Sequence, residues 1–216
     1  MQWREALIQK QGIEVVEKLG QAVVGVCGLG GLGSGIALML ARAGVGKLVL
    51  IDFDRVEMSN LNRQQYRRSQ IGMRKTEALS ALLREIVPES ELTLELHTLR
   101  LSAETCAPIL KECSVVCEAF DRAEEKAMLV NTVLRELPNC TVIAASGIAG
   151  LDSGNRIRTR RVSKRLYLCG DERSDVETAS CLMGTRVMLC AAQQAHLAVQ
   201  QLTGFQEENR EREQEE

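Results

Sequence analysis

The segment with the clearest chemical meaning is a glycine-rich loop near the start of the chain. Gly28, Gly30 and Gly33 follow the pattern G-x-G-x-x-G between an apolar run and a predicted helix. Glycines allow the backbone to approach a phosphate, and the helix N-terminus supplies free N–H groups and a partial positive charge. Asp52 ends the next apolar run, where a carboxylate can accept both ribose hydroxyls. This combination predicts a bound nucleotide rather than a turn that only packs a helix against a strand.

The residues that follow Asp52 decide between two kinds of nucleotide chemistry. The glycine pattern alone favours a nicotinamide-dependent dehydrogenase. However, the polar segment D-F-D-R-V-E-M-S-N-L-N-R-Q contains Arg63, and G-M-R-K opens the next predicted helix with Lys75. Two such cations can hold a triphosphate, and nucleotidyl transfer must stabilise the departing pyrophosphate, whereas a dehydrogenase has no γ-phosphate to neutralise. The sequence therefore favours nucleotidyl transfer, with solvated surface cations as the ordinary alternative.

Asp121 is the acidic residue best placed to join this site. It follows the apolar run 114–120 and begins the next predicted helix. Because the carboxyl ends of parallel strands share one edge of a sheet, Asp121 is expected in the same crevice, where it is a candidate Mg²⁺ ligand. A helix N-cap without further function is the alternative.

The elements that must position these residues alternate between strand and helix. Apolar runs predict strands at 22–27, 47–52, 92–96, 114–120 and 140–146, and helical periodicity predicts helices at 34–43, 75–86, 103–111 and 122–136. This order predicts an α/β fold with a Rossmann-like, doubly wound and mainly parallel sheet. Segments 156–160 and 165–168 predict an antiparallel C-terminal extension, and a helix follows at 185–202.

The length and composition predict one domain in a reducing compartment. With 216 residues and 45% hydrophobic content, the chain can bury one sizeable core. We expect this domain to span residues 1–204 and to begin with a helix at about 5–20, while the charged residues 205–216 form a disordered tail. The N-terminus has no apolar signal region, which predicts a cytoplasmic protein.

Several partners and cofactors are disfavoured by composition. The formal net charge of −2 and the lack of a long apolar run give no reason to expect a membrane partner. The basic residues between 156 and 165 are expected at a sheet edge, where cations prevent aggregation, with docking of an acidic carrier protein as the alternative. Because only 3% of residues are aromatic, no nucleic-acid partner is expected. None of the eight cysteines has Cys-x-x-Cys spacing, so no zinc is expected.

The ordered set G-L-G-G-L-G-S, D-F-D-x-V-E-x-S-N-L-N-R-Q, G-x-x-K and a strand-end Asp resembles the ThiF/MoeB/HesA family, which is related to ubiquitin-activating enzymes. The likeness covers most of residues 20–203. The later stretches E-A-F-D-R-A-E-x-K, A-A-S-G-I-A-G and L-C-A-A-Q-Q-A-H are similar to a short form of ThiF without a zinc-binding extension.

This resemblance implies a reaction. ATP and Mg²⁺ would adenylate the C-terminal glycine carboxylate of a ubiquitin-like sulfur-carrier protein, with release of pyrophosphate. The carrier favoured is ThiS, in the biosynthesis of the thiamine thiazole. A carrier of the molybdopterin-synthase small-subunit type, an NAD-dependent oxidoreductase and a scaffold without catalysis stay open as alternatives. A tRNA-modifying relative is disfavoured by the length of the chain.

The resemblance also implies roles for individual residues. Arg63 and Lys75 would stabilise pyrophosphate as it leaves, and Asp121 would hold Mg²⁺ and orient the attacking carboxylate. The residues implied to bind the nucleotide are Gly28, Gly30, Gly31, Gly33, Asp52, Asp54, Ser59, Asn60, Leu61, Asn62, Arg63, Lys75, Asp121 and Arg122.

Three further features follow from the family resemblance. A homodimer is expected, with Arg4 as the candidate for an N-terminal arginine that reaches the partner's site. Cys169 and Cys181 are candidates for a thiol that forms a persulfide or an acyl-disulfide with the carrier. A sulfur donor or a thiazole synthase is then a further partner.

Overall fold

The computed structural model describes residues 2–175, 179 and 181–205, so the predicted tail from residue 206 onward lies outside the described residues. The strands are β1 (Val23–Cys27), β2 (Lys47–Ile51), β3 (Thr93–His97), β4 (Val115–Glu118), β5 (Thr141–Ala145), β6 (Arg158–Ser163) and β7 (Leu166–Gly170). They form one sheet in the order β3-β2-β1-β4-β5-β7-β6. All neighbouring strands are parallel except β6 and β7. The predicted α/β, Rossmann-like fold is therefore confirmed.

The C-terminal extension differs in detail from the prediction. β7 runs parallel to β5, and only β6 at the edge of the sheet is antiparallel to its neighbour. A hairpin has this effect whenever its second strand, rather than its first, joins the existing sheet. All six residues of β6 are exposed, as expected for an edge strand.

Seven α-helices surround the sheet in the described part of the chain. They are α1 (Trp3–Gln11), α2 (Ile13–Gly20), α3 (Gly31–Ala43), α4 (Lys75–Arg84), α5 (Ala103–Leu110), α6 (Ala123–Glu136) and α7 (Gly184–Thr203). The single helix predicted at about 5–20 is thus two helices. Gly12 separates them with a φ of 84° and a ψ of 152°, a conformation that only glycine adopts readily.

The core consists of two apolar layers, one on each face of the sheet. One layer includes Leu40 of α3, Leu79 of α4 and Ala191 of α7. The other includes Leu110 of α5 and Leu129 of α6. Fully burying a leucine side chain contributes about 1.5–3 kcal/mol, so helices on both faces stabilise the sheet. None of the helices in the described residues has the length and apolar character needed to cross a membrane.

The crevice of the fold lies where the strand order reverses. β1 pairs with β2 on one side and with β4 on the other. From β1 the chain continues to β2 and β3 on one side, and it then crosses over to β4 and β5 on the other. The loops after β1, β2 and β4 therefore lie together at the carboxyl end of the sheet. This switch point is where ligands bind in open α/β sheets.

Candidate active site

The glycine loop between β1 and α3 brings strand and helix into direct backbone contact. Gly28 has a φ of 89°, and a Cβ atom there would lie 2.7 Å from the carbonyl oxygen of Ala119. A Cβ on Gly33 would lie 1.8 Å from the carbonyl oxygen of Gly28. Gly30 precedes α3 without a side-chain cap, so the first N–H groups of the helix are open to an anion.

Replacing Gly33 by alanine is expected to lower the free energy of unfolding by at least about 2 kcal/mol, because backbone must move to admit the methyl group. Gly30→Ala is the matched control, since its Cβ would meet only Gln64 Nε2, at 3.8 Å. Denaturant unfolding of both variants checks the prediction. Equal stabilities would show that the loop is not closely packed.

Asp52 ties the glycine loop to the end of β2. Its Oδ2 accepts a hydrogen bond from the N–H of Leu29 at 2.7 Å, and its Oδ1 accepts one from the N–H of Asp54 at 2.8 Å. The hydroxyl of Tyr66 donates to the carbonyl oxygen of Leu29 at 2.8 Å. Burial raises the pKa of Asp52, and the charge of Lys75 opposes that rise. A carboxylate has about four acceptor positions, so capacity remains for ribose hydroxyls.

Lys75, the first residue of α4, is a buried cation between two carboxylates. Its Nζ lies 2.8 Å from Asp54 Oδ2 and 3.7 Å from Asp52 Oδ2, and only 6% of the residue is exposed. The N–H of Lys75 also donates to the carbonyl oxygen of Asp54 at 3.0 Å. The ammonium group is thus held beside the glycine loop in a fixed position. Lys75 is therefore not a solvated surface cation, which was the alternative to a role in phosphate binding.

Arg63 lies against the first turns of two helices. Its Nη1 donates to the carbonyl oxygen of Ser59 at 3.0 Å and to Asn62 Oδ1 at 2.8 Å. Its Cγ is 3.3 Å from the position of a Cβ on Gly31 in α3, and its Cα is 3.2 Å from the equivalent position on Gly184 in α7. The donors on Nε and Nη2 make no hydrogen bond to the described residues, which leaves them for a ligand.

The other residues of this polar segment mainly support its own backbone. Asn60 Oδ1 accepts a hydrogen bond from the N–H of Glu57 at 3.0 Å, and Ser59 Oγ donates to Glu57 Oε2 at 3.3 Å. Leu61 packs against the core. We infer that Ser59, Asn60 and Leu61 shape the segment that carries Arg63.

Asp121 and Arg122 are exposed on the turn between β4 and α6. The N–H of Ala119 in this turn donates to the carbonyl oxygen of Cys27 at 2.8 Å, which places the turn next to the glycine loop. Within residues 2–175, 179 and 181–205, no group of three or more His, Cys, Asp or Glu residues could hold a metal. Mg²⁺ commonly takes one or two carboxylates together with substrate phosphates, so Asp121 alone fits such a site.

Two features of the site were missed from the sequence. Gln64 is buried near Gly30, and its Oε1 has no hydrogen-bond partner among the described residues. Glu118 is wholly buried at the end of β4 and pairs with Lys126, whose Nζ is 2.9 Å from both carboxylate oxygens. Gln64 ends the polar block that suggested Arg63, whereas Glu118 is hidden inside an apolar run.

The Glu118–Lys126 pair is expected to make stability depend on pH. Burial raises the pKa of Glu118, and the ammonium of Lys126 opposes that rise. In Lys126→Met the pKa of Glu118 should rise further, because the opposing charge is lost. At low pH the carboxyl group is then protonated and neutral, so it no longer needs the cation. The loss of unfolding free energy should therefore be larger at about pH 8 than at about pH 5. Denaturant unfolding at both pH values measures it, and an equal or growing loss at low pH would contradict this assignment.

The candidate thiols and Arg4 lie in different surroundings. Cys169 is fully buried in β7, and burial raises the pKa of its thiol to about 11, so it lacks the exposure and acidity of a reactive thiol. Cys181, shortly before α7, is half-buried.

Arg4 lines a pocket of about 280 Å³ with Trp3 and Leu92. That pocket is at the amino end of the strands, away from the crevice of the same chain.

The fold and the charged residues around its glycine loop are those of an α/β nucleotide-binding protein. The chain belongs to the ThiF family, whose sequence pattern matches residues 3–214. This membership confirms the resemblance that the motifs indicated.

Individual relatives resemble parts of the chain. Adenylyltransferase and sulfurtransferase MOCS3 of Anopheles gambiae is 32% identical over 127 residues, which are 58% of this chain and 28% of that protein. Ubiquitin-like modifier-activating enzyme 5 of Caenorhabditis elegans is 38% identical over 96 residues, 44% of this chain and 22% of that protein. The matches thus span about a quarter of these relatives.

Solved structures support the fold over a longer range. The E. coli tRNA N6-threonylcarbamoyladenosine dehydratase TcdA, in complex with ATP, has a TM-score of 0.82 and 20% identity, with 93% of each chain covered. E. coli MccB with ATP has a TM-score of 0.69 and 22% identity, covering 91% of this chain and 60% of that one. The coverage of TcdA shows that length does not argue against a tRNA-modifying relative, so that argument was wrong.

Proposed function

We propose that this protein uses ATP and Mg²⁺ to adenylate the C-terminal glycine carboxylate of a ubiquitin-like carrier protein. The observation that carries the proposal is the placement of Lys75, which is buried between Asp52 and Asp54 beside the glycine loop. A fixed cation there suits a triphosphate whose ribose is bound by Asp52. The names of two relatives, adenylyltransferase and sulfurtransferase MOCS3 and ubiquitin-like modifier-activating enzyme 5, agree with this chemistry.

The reaction would proceed by in-line displacement at the α-phosphorus. A carboxylate oxygen of the carrier attacks phosphorus, the bond between the α- and β-phosphates breaks, and pyrophosphate leaves with the bonding electrons. A carboxylate is already ionised at neutral pH, so no general base is required. Positioning and charge neutralisation therefore supply most of the rate enhancement.

Each part of the crevice has a role in this reaction. The N-terminus of α3 binds phosphate oxygens, and Asp52 orients the ribose. Lys75 and Arg63 neutralise the charge that builds up on the pyrophosphate. Asp121 would hold Mg²⁺, which neutralises phosphate charge when bound, and would orient the carrier carboxylate.

We further propose that the carrier is ThiS, that the reaction serves formation of the thiamine thiazole, and that the protein acts as a homodimer. The short-form stretches after residue 117 support this choice of carrier. Cys181 is the more exposed of the two candidate thiols, and it lies next to the first turn of α7, which contacts Arg63. If sulfur passes through a cysteine on its way from a donor protein, Cys181 is our candidate.

Separate assays with two carriers test the choice of partner. Purified protein would be given ATP, Mg²⁺ and either ThiS or a molybdopterin-synthase small subunit, and the acyl-adenylate would be measured by mass spectrometry of the carrier. We expect a kcat/KM for ThiS at least about tenfold above that of the other carrier. A preference for the second carrier would reject ThiS but keep carboxylate adenylation.

A further inference from the structure

Glu118 is a wholly buried carboxyl group at the end of β4. It has no exposed surface, and its two oxygens accept four hydrogen bonds. Oε1 accepts from the N–H of Phe120 at 2.7 Å and Oε2 from the N–H of Ala145 at 3.3 Å, while Lys126 Nζ donates to both at 2.9 Å. Removing an ion from water is unfavourable, and well-packed apolar residues at such a position often give equal or greater stability. Glu118 is buried, whereas 27% of the Lys126 side chain is exposed, so a carboxylate at this position calls for a reason other than stability.

Two of the three donors to Glu118, Phe120 and Lys126, lie on either side of Asp121 in the sequence. The N–H of Phe120 fixes the turn before Asp121, and Lys126 joins the first turn of α6 to the same carboxylate. Asp121 itself is exposed and makes no hydrogen bond to any other described residue. Its position is therefore set by the backbone on either side, and Glu118 holds both sides.

The same turn contacts the glycine loop. A Cβ on Gly28 would lie 2.7 Å from the carbonyl oxygen of Ala119, and the N–H of Ala119 donates to the carbonyl oxygen of Cys27. Movement of the turn would thus change both the phosphate-binding loop and the distance from it to Asp121. An error of about 1 Å in such a geometry can cost about 100-fold in rate.

We propose that Glu118 and Lys126 are a positioning pair that sets Asp121 against the glycine loop for adenylation. The proposal rests on the proposed function, in which Asp121 orients the carrier carboxylate and Mg²⁺. Neither Glu118 nor Lys126 touches a substrate in this account, and both act through the turn.

A second internal cation provides a matched control at the other end of α6. Arg165 donates from Nη1 to the carbonyl oxygens of Leu137 at 2.9 Å and Cys140 at 3.1 Å, and from Nη2 to that of Leu134 at 2.7 Å. It anchors the C-terminal end of the helix, whereas Lys126 anchors the beginning. Replacement of Arg165 should therefore loosen α6 without moving Asp121.

The test compares Lys126→Met, Lys126→Arg and Arg165→Met. At saturating ATP and carrier, Lys126→Met should lower kcat about 10- to 100-fold with the KM for ATP within about threefold. Lys126→Arg should recover most of the rate, because it keeps a cation against Glu118. All variants would be assayed below their melting temperatures. Under these conditions the kcat of Arg165→Met should stay within about twofold of the wild-type value. If Lys126→Met had the same kcat as Arg165→Met, the proposal would be overturned.

Hydrogen exchange gives a readout that does not depend on activity. The amide of Phe120 should exchange at least about tenfold faster in Lys126→Met than in the wild type, and at the wild-type rate in Arg165→Met. Unchanged exchange in Lys126→Met would show that the pair does not hold the turn. A wild-type protein that is inactive with every carrier would reject the proposed function instead, while the exchange result would still report on the pair.

Discussion

Lys75→Met is expected to lower carrier-dependent adenylation by about 100- to 1,000-fold, the usual effect of removing one preorganised group that stabilises transition-state charge. Methionine has a similar length and no charge, so the phosphate contact is lost while the space is filled. The variant also removes the cation that opposes the raised pKa of Asp52. Steady-state formation of the acyl-adenylate measures the effect, and the loss should fall on kcat as well as on the KM for ATP.

Lys47→Met is the matched control for this experiment. Lys47 begins β2, the strand that Asp52 follows, and its Nζ pairs with Glu95 Oε2 at 2.8 Å and Glu112 Oε2 at 2.9 Å at the opposite end of the sheet. Loss of that pair should lower stability but leave turnover within about twofold. If Lys75→Met kept the turnover of Lys47→Met, Lys75 would have no part in catalysis.

Asp121→Asn is expected to lower adenylation about 100-fold and to raise the Mg²⁺ concentration needed for half-maximal rate. The amide keeps the size of the carboxylate but not its charge, so it binds Mg²⁺ poorly and no longer orients the ion. Titration of Mg²⁺ at fixed ATP and carrier measures both effects. Folding should be unchanged, because Asp121 is exposed.

Asp152→Asn provides the comparison for Asp121→Asn. Asp152 is also an exposed carboxylate, and Arg156 Nη1 lies 3.6 Å from its Oδ2. We expect its replacement to leave both rate and Mg²⁺ requirement within about twofold. An Asp121→Asn variant with the same Mg²⁺ curve as Asp152→Asn would remove Asp121 from the metal site.

The sequence predicts the parts of the fold that depend on local pattern. Apolar runs and helical periodicity identified the parallel strands and their crossover helices, and glycine spacing identified the tight turn between β1 and α3. The break at Gly12 was not predicted, because an isolated glycine is often tolerated inside a helix. Here Leu7 packs on Gly44, where a Cβ would lie 2.8 Å from Leu7 Cδ1, and this tertiary contact sets the direction of α1. Alternation in β6 and β7 likewise carries no information on which strand joins β5.

The residues of the site divide in the same way. Lys75 could be proposed from its motif, but its burial between Asp52 and Asp54 depends on the packing of α4 against the end of β2. Glu118 could not be recognised, because a glutamate between Cys117 and Ala119 resembles a polar interruption in an apolar strand. Its meaning depends on three donors that the fold brings to it from different elements. Cys169 was proposed as a reactive thiol for the same reason, because its burial cannot be recognised from a single sequence.

Exchange of pyrophosphate into ATP tests the central proposal most directly. The purified protein would be assayed with ATP, Mg²⁺ and labelled pyrophosphate, together with either ThiS or ThiS that lacks its terminal glycine. The proposal predicts exchange with intact ThiS and none with the truncated carrier, because only the intact tail brings its carboxylate to the α-phosphate. Exchange of equal rate with both forms, or no exchange by folded protein with any carrier, would contradict carboxylate adenylation at this site.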